Sequence, residues 1–216
     1  MTSAWLLLFF LFSACFAFNE FGSEKVLFSI RAGSGHSALD EFLTGKQTYH
    51  GFRNVNPNYY LVYRSSILDD RFFKTYLKEF DAQRIVVQML LRQTVMASAS
   101  FDVTDRVKLN TSNWFSIERL IDSTPFTIDK RGPFVDFSIE GYRNRTAELH
   151  RSFYIHNRHQ GCSSDSGLMG VIERDDQPCS WAKRAKGDFP ILYYAKENKV
   201  YDESVEFADQ MRIILK

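Results

Sequence analysis

The amino-acid sequence predicts a mainly β protein, a two-sheet sandwich of the jelly-roll type with two or three short helices and one disulfide. Three observations indicate this class: many short runs of β-branched and aromatic residues, irregular turns between them, and two cysteines that flank one such run. The chain has 20 Phe and 10 Tyr but only 5 Pro and 11 Gly. This composition favours a packed core over disorder.

The predicted strands are spread along the chain and leave one long irregular stretch at 32–57. In Lys25 to Arg31, one face carries Val26, Phe28 and Ile30 and the other Leu27, Ser29 and Arg31, a pattern that predicts a half-buried strand. The other predicted strands are residues 59–64, 84–93, 95–103, 134–139, 151–157, 168–173, 189–195 and 207–215. In the irregular stretch, Gly33-Ser34-Gly35 is predicted to be a turn, because the Lys-Ser/Thr of a phosphate-binding loop does not follow it.

Two segments change to a helical period. Residues 66–80 carry an apolar residue at every fourth position, and Ser66 precedes them as a candidate N-cap. The stripe consists of Leu68, Phe72, Tyr76 and Phe80, and Phe73 with Leu77 widens it. Because its polar positions carry mixed charge, this helix is predicted to cover a sheet; the alternative is a partner-binding or membrane-surface helix. A second, shorter helix is predicted at 110–121.

The first residues are typical of a secretory signal. Residues 5–12 (WLLLFFLF) form an apolar core that is short for a membrane span, and small side chains at Cys15 and Ala17 suit a signal peptidase site. We expect 1–17 to be a signal peptide and 18–216 to be a single extracellular β-rich domain, with a candidate subdivision at 104–109. A buried N-terminal helix is the alternative. No later segment approaches 18 apolar residues, so stable membrane insertion is not expected.

Two cysteines remain outside the leader. Cys162 and Cys179 are an even pair, as an oxidising compartment favours, and they lie 17 positions apart. We predict a disulfide between them; two free thiols or two metal ligands are the alternatives. No Cys-x-x-Cys spacing occurs, which argues against zinc.

Two N-glycosylation sequons are present in this predicted extracellular chain. They begin at Asn110 (NTS) and at Asn144 (NRT), and each is an acceptor if it lies on the surface. Asn144 lies in a polar turn. The amide of Asn110 falls near a predicted helix start, where it is also a candidate cap.

Polar residues near the two cysteines are the predicted ligand-contact surface, at 159–165 and 174–177. The candidates are His159, Asp165, Arg174, Asp175 and Asp176. The three aspartates offer oxygen ligands for calcium, although turn-forming aspartates explain them equally well. No cofactor is otherwise expected.

Histidines and arginines near the same segment suggest two further sites. His150 and His156 share one face of a regular strand, but no third ligand for zinc or copper stands at a recognisable spacing. The arginines at 143, 145, 151 and 158 form a basic region suited to acidic glycans or matrix, and interspersed Glu140 and Glu148 favour an ordinary solvated surface instead. The net charge of +1 gives no reason to expect a nucleic-acid partner.

The C-terminal half, over about 112–216, contains a series of short motifs. It comprises Trp114-Phe115-Ser116, Phe137-Ser138-Ile139-Glu140-Gly141, Arg151, Phe153-Tyr154, Gly161-Cys162-x-x-Asp165-x-Gly167, Cys179-x-Trp181, Leu192-Tyr193 and Ala208-Asp209. With these motifs the chain resembles a secreted module of animal proteins, some of them collagen-containing or matrix-associated. Leu168 stands where the module has an aromatic residue. The resemblance implies an extracellular fold and brings no established activity or catalytic residue.

Three functions from different classes are compatible with these observations. The leading hypothesis is a secreted non-enzymatic glycoprotein that binds matrix, carbohydrate or another protein through loops at a sandwich edge, because Gly-x-Ser-x-Gly and other catalytic constellations are missing from the sequence. The second is a hydrolase whose site is assembled from distant residues such as Glu140, His150 and His156. The third is a structural or toxin-like component that self-associates through its aromatic residues.

Overall fold

A computed structural model of the chain describes residues 25–45, 60–143, 150–174, 179–185 and 187–216. Strands are numbered β1 to β12 and helices α1 to α3 in chain order. The described residues form two antiparallel sheets and one disulfide, so the predicted two-sheet sandwich is confirmed. The predicted signal at 1–17 lies outside the described residues and stays a prediction.

The first sheet joins both ends of the described chain. Its order is β2-β1-β12-β3-β4-β5, so the last strand lies between the first and the third. The strands are β1 (Lys25–Arg31), β2 (Val62–Arg64), β3 (Arg84–Leu91), β4 (Thr94–Asp102), β5 (Leu120–Thr124) and β12 (Gln210–Leu215). Because β12 pairs on both sides, the sheet is completed only when the end of the chain is in place.

The second sheet is built from strands that are near neighbours in sequence. Its order is β11-β10-β9-β8-β6, and the short β7 also pairs with β8. The strands are β6 (Asp136–Ser138), β7 (Tyr142–Arg143), β8 (His150–Arg158), β9 (Ser166–Ile172), β10 (Ile191–Ala195) and β11 (Val205–Ala208). Only Asp209 separates β11 from β12, and the chain crosses between the sheets there. The single strand predicted at 207–215 is therefore wrong, because one apolar run serves two sheets.

A helix lies in the stretch that was expected to be irregular. Helix α1 (Ala38–Thr44) begins after Ser37, whose side chain accepts a hydrogen bond from the Asp40 N–H at 3.1 Å. It ends at Gly45, where φ is 59° and the backbone N–H bonds to the Glu41 carbonyl. Both caps are common helix signals. Gly45 ends the helix rather than preventing it.

The helix predicted at 66–80 is present but shorter. Helix α2 (Asp70–Glu79) follows a 3₁₀ turn at Ser66–Leu68, and its N-cap is Asp69 rather than Ser66. Phe73 and Leu77, which widen the predicted stripe, are buried in the core, and Tyr76 and Phe80 pack against it. Phe72 is the member of the stripe that is exposed, at 47%.

The second predicted helix, at 110–121, is a series of turns. Oδ1 of Asn110 accepts hydrogen bonds from the N–H groups of Ser112 and Asn113 at 2.9 and 2.8 Å. The Asn113 amide donates to the Lys108 carbonyl at 2.7 Å. Such side-chain bonds to the backbone compete with helix formation. The remaining helix, α3 (Tyr201–Ser204), is a single turn between β10 and β11.

Each face of the second sheet packs against its own core. Between the sheets, Phe28 of β1, Phe42 of α1 and Phe153 of β8 form an aromatic cluster with ring centroids 5.2 to 6.2 Å apart. On the outer face, a smaller core contains Trp181 and Tyr201, with 4.8 Å between their ring centroids. The segment around the second cysteine therefore covers the second sheet from outside.

A bulge in β8 decides which side chains enter each core. Between the pairs Ser152–Val171 and Ile155–Met169, β8 has one residue more than β9. At this point Phe153 has a φ of 47°, and its buried ring joins the cluster between the sheets. An extra residue makes the positions before and after it exchange faces.

The bulge brings three polar side chains of β8 to the outer core. Arg151 precedes it, whereas Tyr154 and His156 follow it, and all three are buried on the outer side. For the same reason His150 and His156 do not share the face that a regular strand gives them. The prediction of a common face is therefore wrong.

Candidate functional site

The loop that joins β8 to β9, residues 159–165, is fastened at two points. The predicted disulfide between Cys162 and Cys179 is confirmed, with 5.0 Å between the Cα atoms. At the end of the loop, Oδ1 of Asp165 accepts hydrogen bonds from two backbone N–H groups of the loop at 3.0 and 2.8 Å. The loop is thereby tied both to itself and to the segment after β9.

A buried ion pair lies beneath the disulfide. Nη1 of Arg151 is 3.2 Å from Oδ2 of Asp165, and both side chains are 1% exposed. Nη2 of Arg151 donates to Sγ of Cys179 at 3.0 Å, and the guanidinium carbon lies 4.6 Å from the ring centroid of Trp181. A buried charge is tolerated when its partners and hydrogen bonds replace water in this way.

An aromatic stack continues from this ion pair toward the surface. The ring centroids of Tyr154 and His156 are 4.5 Å apart, and those of His156 and His159 are 5.2 Å apart. Nε2 of His156 lies 3.1 Å from the hydroxyl of Tyr193. Burial lowers the pKa of His156 well below its usual value and raises the pKa of Tyr193 to about 12. Neither group changes its charge near neutral pH, which is typical of a structural layer.

Two glycines of β9 make room for the tyrosine rings of this layer. A Cβ on Gly170 stands 2.4 Å from the hydroxyl oxygen of Tyr193. A Cβ on Gly167 stands 2.5 Å from the hydroxyl of Tyr201. These distances are far below van der Waals contact, so any larger residue displaces the rings.

The predicted contact residues do not form one surface. Asp165 is 1% exposed, and both of its oxygens already bind protein groups, which leaves neither for a ligand or for calcium. The His159 side chain is 20% exposed, and its Nδ1 lies 3.7 Å from Oδ1 of Asp165. Arg174 is exposed at the end of β9. Asp175 and Asp176 lie outside the described residues.

A polar cleft of about 350 Å³ opens beside the β8–β9 loop. Three separate parts of the chain form it: the segment between β5 and β6, the facing ends of β8 and β9, and the turn before α3. Its lining residues are Asp129, Gly132, Val135, Asn157, Arg158, Ser164, Ser166, Asn198, Lys199 and Val200. Two of these, Ser164 and Ser166, flank the buried Asp165. The disulfide-bonded loop therefore supplies one wall of the cleft.

Two asparagines link the walls of the cleft. Nδ2 of Asn157, near the end of β8, donates a hydrogen bond to Oδ1 of Asn198 at 2.6 Å. Oδ1 of Asn157 is buried and has no hydrogen-bond partner in the described part of the chain. Side-chain amides carry both donors and acceptors, so this pair suits ligands with hydroxyl groups.

A second cleft, of about 380 Å³, lies at the other edge of the second sheet. It is lined by Ala32, Gly33, Arg184, Ala185, Gly187, Asp188, Ile191, Leu192, Phe207 and Ala208. The Arg184 guanidinium is bound to the Tyr201 carbonyl at 2.9 Å. Neither cleft is lined by Glu140, His150 or His156, the residues considered for a hydrolase.

The two sequons differ in what the structure describes. Asn110 is exposed, and its Oδ1 binds the N–H and hydroxyl groups of Ser112 at 2.9 and 3.2 Å. The amide nitrogen of Asn110, the atom that carries a glycan, has no hydrogen-bond partner among the described residues. Asn144 lies outside them.

Comparison with known proteins identifies no relative: no protein-family model, curated protein or solved structure matches the chain. Within the described ranges, no group of three or more His, Cys, Asp or Glu side chains is arranged to hold a metal ion. In the same ranges, no helix has the length and apolar character needed to cross a membrane.

Most of the cleft residues were not identified from the sequence. Arg158 belonged to the predicted basic region and Ser164 to the predicted contact loop at 159–165, but Asn157, Asn198 and Lys199 were not candidates. These three stand in two separate segments, a strand end and a turn, with no common motif or spacing. Their only shared signal is polarity at the ends of predicted strands, where sandwich proteins carry their binding loops.

Proposed function

We propose that this chain is a secreted, non-enzymatic glycoprotein that binds an extracellular ligand through the polar cleft beside the β8–β9 loop. The observation that carries the proposal is this cleft of about 350 Å³, whose wall is held by the disulfide and by the buried Asp165 carboxylate. A rigid loop loses little conformational entropy on binding, so it is a suitable contact surface.

The lining of the cleft favours binding over catalysis. Among the described residues it holds amides, hydroxyls, two cations and one carboxylate, but no histidine or cysteine. General acid–base or nucleophilic catalysis needs a titratable group that faces the reacting atom. The carboxylate of Asp129 and the ammonium of Lys199 are instead each paired with a neighbour in their own turn, Arg131 and Glu197. The histidines near the cleft belong to the buried stack instead, where His156 has no exposed surface.

Secretion and glycosylation complete the proposal. The apolar leader at 1–17, the oxidised cysteine pair and the exposed Asn110 of the first sequon fit an extracellular protein. The resemblance over 112–216 to a secreted, sometimes matrix-associated module points the same way.

A binding survey of the purified mature protein tests this function. We expect retention on a glycan array or on immobilised matrix proteins, with no turnover in a panel of hydrolase substrates. Retention on neither surface, together with turnover of any substrate, contradicts the proposal. Retention of the protein in cells that express the full chain contradicts its secreted character.

A further inference from the structure

We infer that the polar cleft binds the terminal part of an acidic saccharide, with Arg158 as the group that holds its carboxylate or sulfate. This inference rests on the proposed function and adds the class of ligand. It follows from the balance of donors, acceptors and charges in the lining of the cleft.

Arg158 is the cation of the cleft that has no ion-pair partner among the described residues. Arg158 is exposed at the end of β8, where its backbone lies opposite that of Ser166 in β9. Its side chain has no hydrogen-bond or ion-pair partner among the described residues. In contrast, Nζ of Lys199 lies 2.6 Å from a carboxylate oxygen of Glu197. A guanidinium has five N–H donors in a fixed fork that matches carboxylate and sulfate oxygens.

Asp129 is the carboxylate among the described lining residues, and it is engaged by its own turn. Oδ1 of Asp129 accepts a hydrogen bond from the Arg131 N–H at 3.0 Å and lies 3.7 Å from Nε of that arginine. Within the described part of the chain, the cleft therefore has one unpaired positive charge. An anionic group on the ligand is favoured there, since it gains a charge-assisted hydrogen bond without displacing a protein partner.

The other polar groups offer mainly donors and hydroxyls. The Asn157–Asn198 hydrogen bond uses Oδ1 of Asn198 as acceptor, so the amide nitrogen of Asn198 remains available at the cleft. Ser166 adds a hydroxyl to the same lining. Such groups are suited to the ring and hydroxyl oxygens of a sugar.

The size and apolar content of the cleft favour a saccharide over an acidic peptide. At about 350 Å³ it lies near the lower end of ligand pockets, which limits the bound part to a short segment. Among the described lining residues, Val135 and Val200 are the apolar side chains larger than a methyl group. They suit the C–H face of a sugar ring, whereas a peptide anchor needs a deeper apolar pocket.

Calorimetric titration of the purified mature protein tests this inference. The probes are an oligosaccharide that contains uronic acid, a sulfated oligosaccharide, neutral oligosaccharides of the same length, and an acidic peptide. We expect binding of at least one acidic oligosaccharide in preference to its neutral counterpart, and weaker binding as salt increases.

Two arginine variants locate the site. Arg158→Gln removes the unpaired cation, and we expect it to weaken binding of the acidic oligosaccharide by about tenfold or more. Arg174→Gln is the matched control. It removes the same charge from an exposed arginine that follows β9, and this arginine does not line the cleft. We expect it to leave affinity within about twofold. Near-UV circular dichroism of both variants verifies that they remain folded.

The outcomes separate this inference from the function on which it rests. Loss of binding in Arg158→Gln alone supports the inference. Equal affinity of the wild type and Arg158→Gln, equal losses in the two variants, or binding only of neutral sugars or acidic peptide overturns it and leaves a binding module in place. No binding of any saccharide or matrix protein overturns both.

Discussion

Arg151 and Asp165 form an ion pair that is buried on all sides, with 3.2 Å between Nη1 and Oδ2 and 1% of each side chain exposed. The pair connects β8 to the end of the loop that carries Cys162. Because the other oxygen of Asp165 binds two N–H groups of that loop, one carboxylate orders both the outer core and a wall of the cleft.

Asp165→Asn is expected to lower the free energy of unfolding by about 3–5 kcal/mol, since it leaves the Arg151 charge buried without its counter-ion. Urea denaturation measures the change. Glu206→Gln is the control, because it breaks the solvent-exposed ion pair with Lys196, 2.7 Å long, and is expected to change stability little. Similar stability of the two variants contradicts a structural role for the buried pair.

Replacing Cys162 and Cys179 together by serine is expected to destabilise the protein by about 3 kcal/mol. The disulfide joins residues 17 positions apart, and without it the unfolded chain regains the conformational entropy that closing this loop removes. Peptide mapping under non-reducing conditions checks the link in the wild type, and chemical denaturation checks the energy. Alkylation of either cysteine in the native, unreduced protein contradicts the disulfide.

Glu173 makes stability depend on pH in a defined direction. Its carboxylate accepts hydrogen bonds from the N–H groups of Ala38 and Leu39 at 2.9 and 3.1 Å and from the hydroxyl of Ser152. Burial nevertheless raises the pKa of Glu173 above its usual 4.5. The folded state then holds this proton more tightly than the unfolded state, so the contribution of Glu173 to stability is largest below pH 4.5 and is lost as pH rises through the folded pKa.

Glu173→Gln removes this titration. We expect the stability of the variant minus that of the wild type to increase as pH rises from about 4 to about 7, as measured by urea unfolding at each pH. A decrease over that range shows that the hydrogen-bond donors outweigh burial and that the pKa is lowered instead.

Helix α2 offers two neighbouring aromatic residues with opposite environments. Phe73→Ala is expected to cost about 3–5 kcal/mol, because its ring is fully buried in the core between the sheets. Phe72→Ala, at a ring that is 47% exposed, is expected to stay within about 0.5 kcal/mol. Thermal or urea unfolding compares them, and a larger loss at Phe72 contradicts the orientation of the helix.

Glycosylation at Asn110 is tested through the third residue of its sequon. Ser112→Ala destroys the sequon and is expected to reduce the apparent mass of the secreted protein, whereas Ser112→Thr preserves both sequon and mass. Glycosidase treatment of the wild type confirms that the difference is a glycan. If all three proteins migrate alike before and after treatment, Asn110 carries none.

The sequence determined most of what depends on neighbouring residues. The pattern of Lys25–Arg31 predicted β1 with its observed bounds, and the even cysteine pair predicted the disulfide. The half-buried alternation predicted for β1 is wrong, because its residues 27–30 are all buried between neighbouring elements. Helix α1 was also within reach, because Ser37 and Gly45 are ordinary cap residues, but the glycines around it favoured an irregular stretch. Local patterns succeed here because strand-forming runs, caps and cysteine pairing are decided by short-range geometry.

The tertiary structure alone decided which side chains meet. No local pattern shows that β8 carries an extra residue, that the run ending at Leu215 divides between two sheets, or that Asp165 is buried against Arg151. Each depends on pairing between distant strands, and a shift of one residue reverses every face. For the same reason the cleft, which gathers Asn157 and Asn198 from separate segments, became visible only in the folded chain.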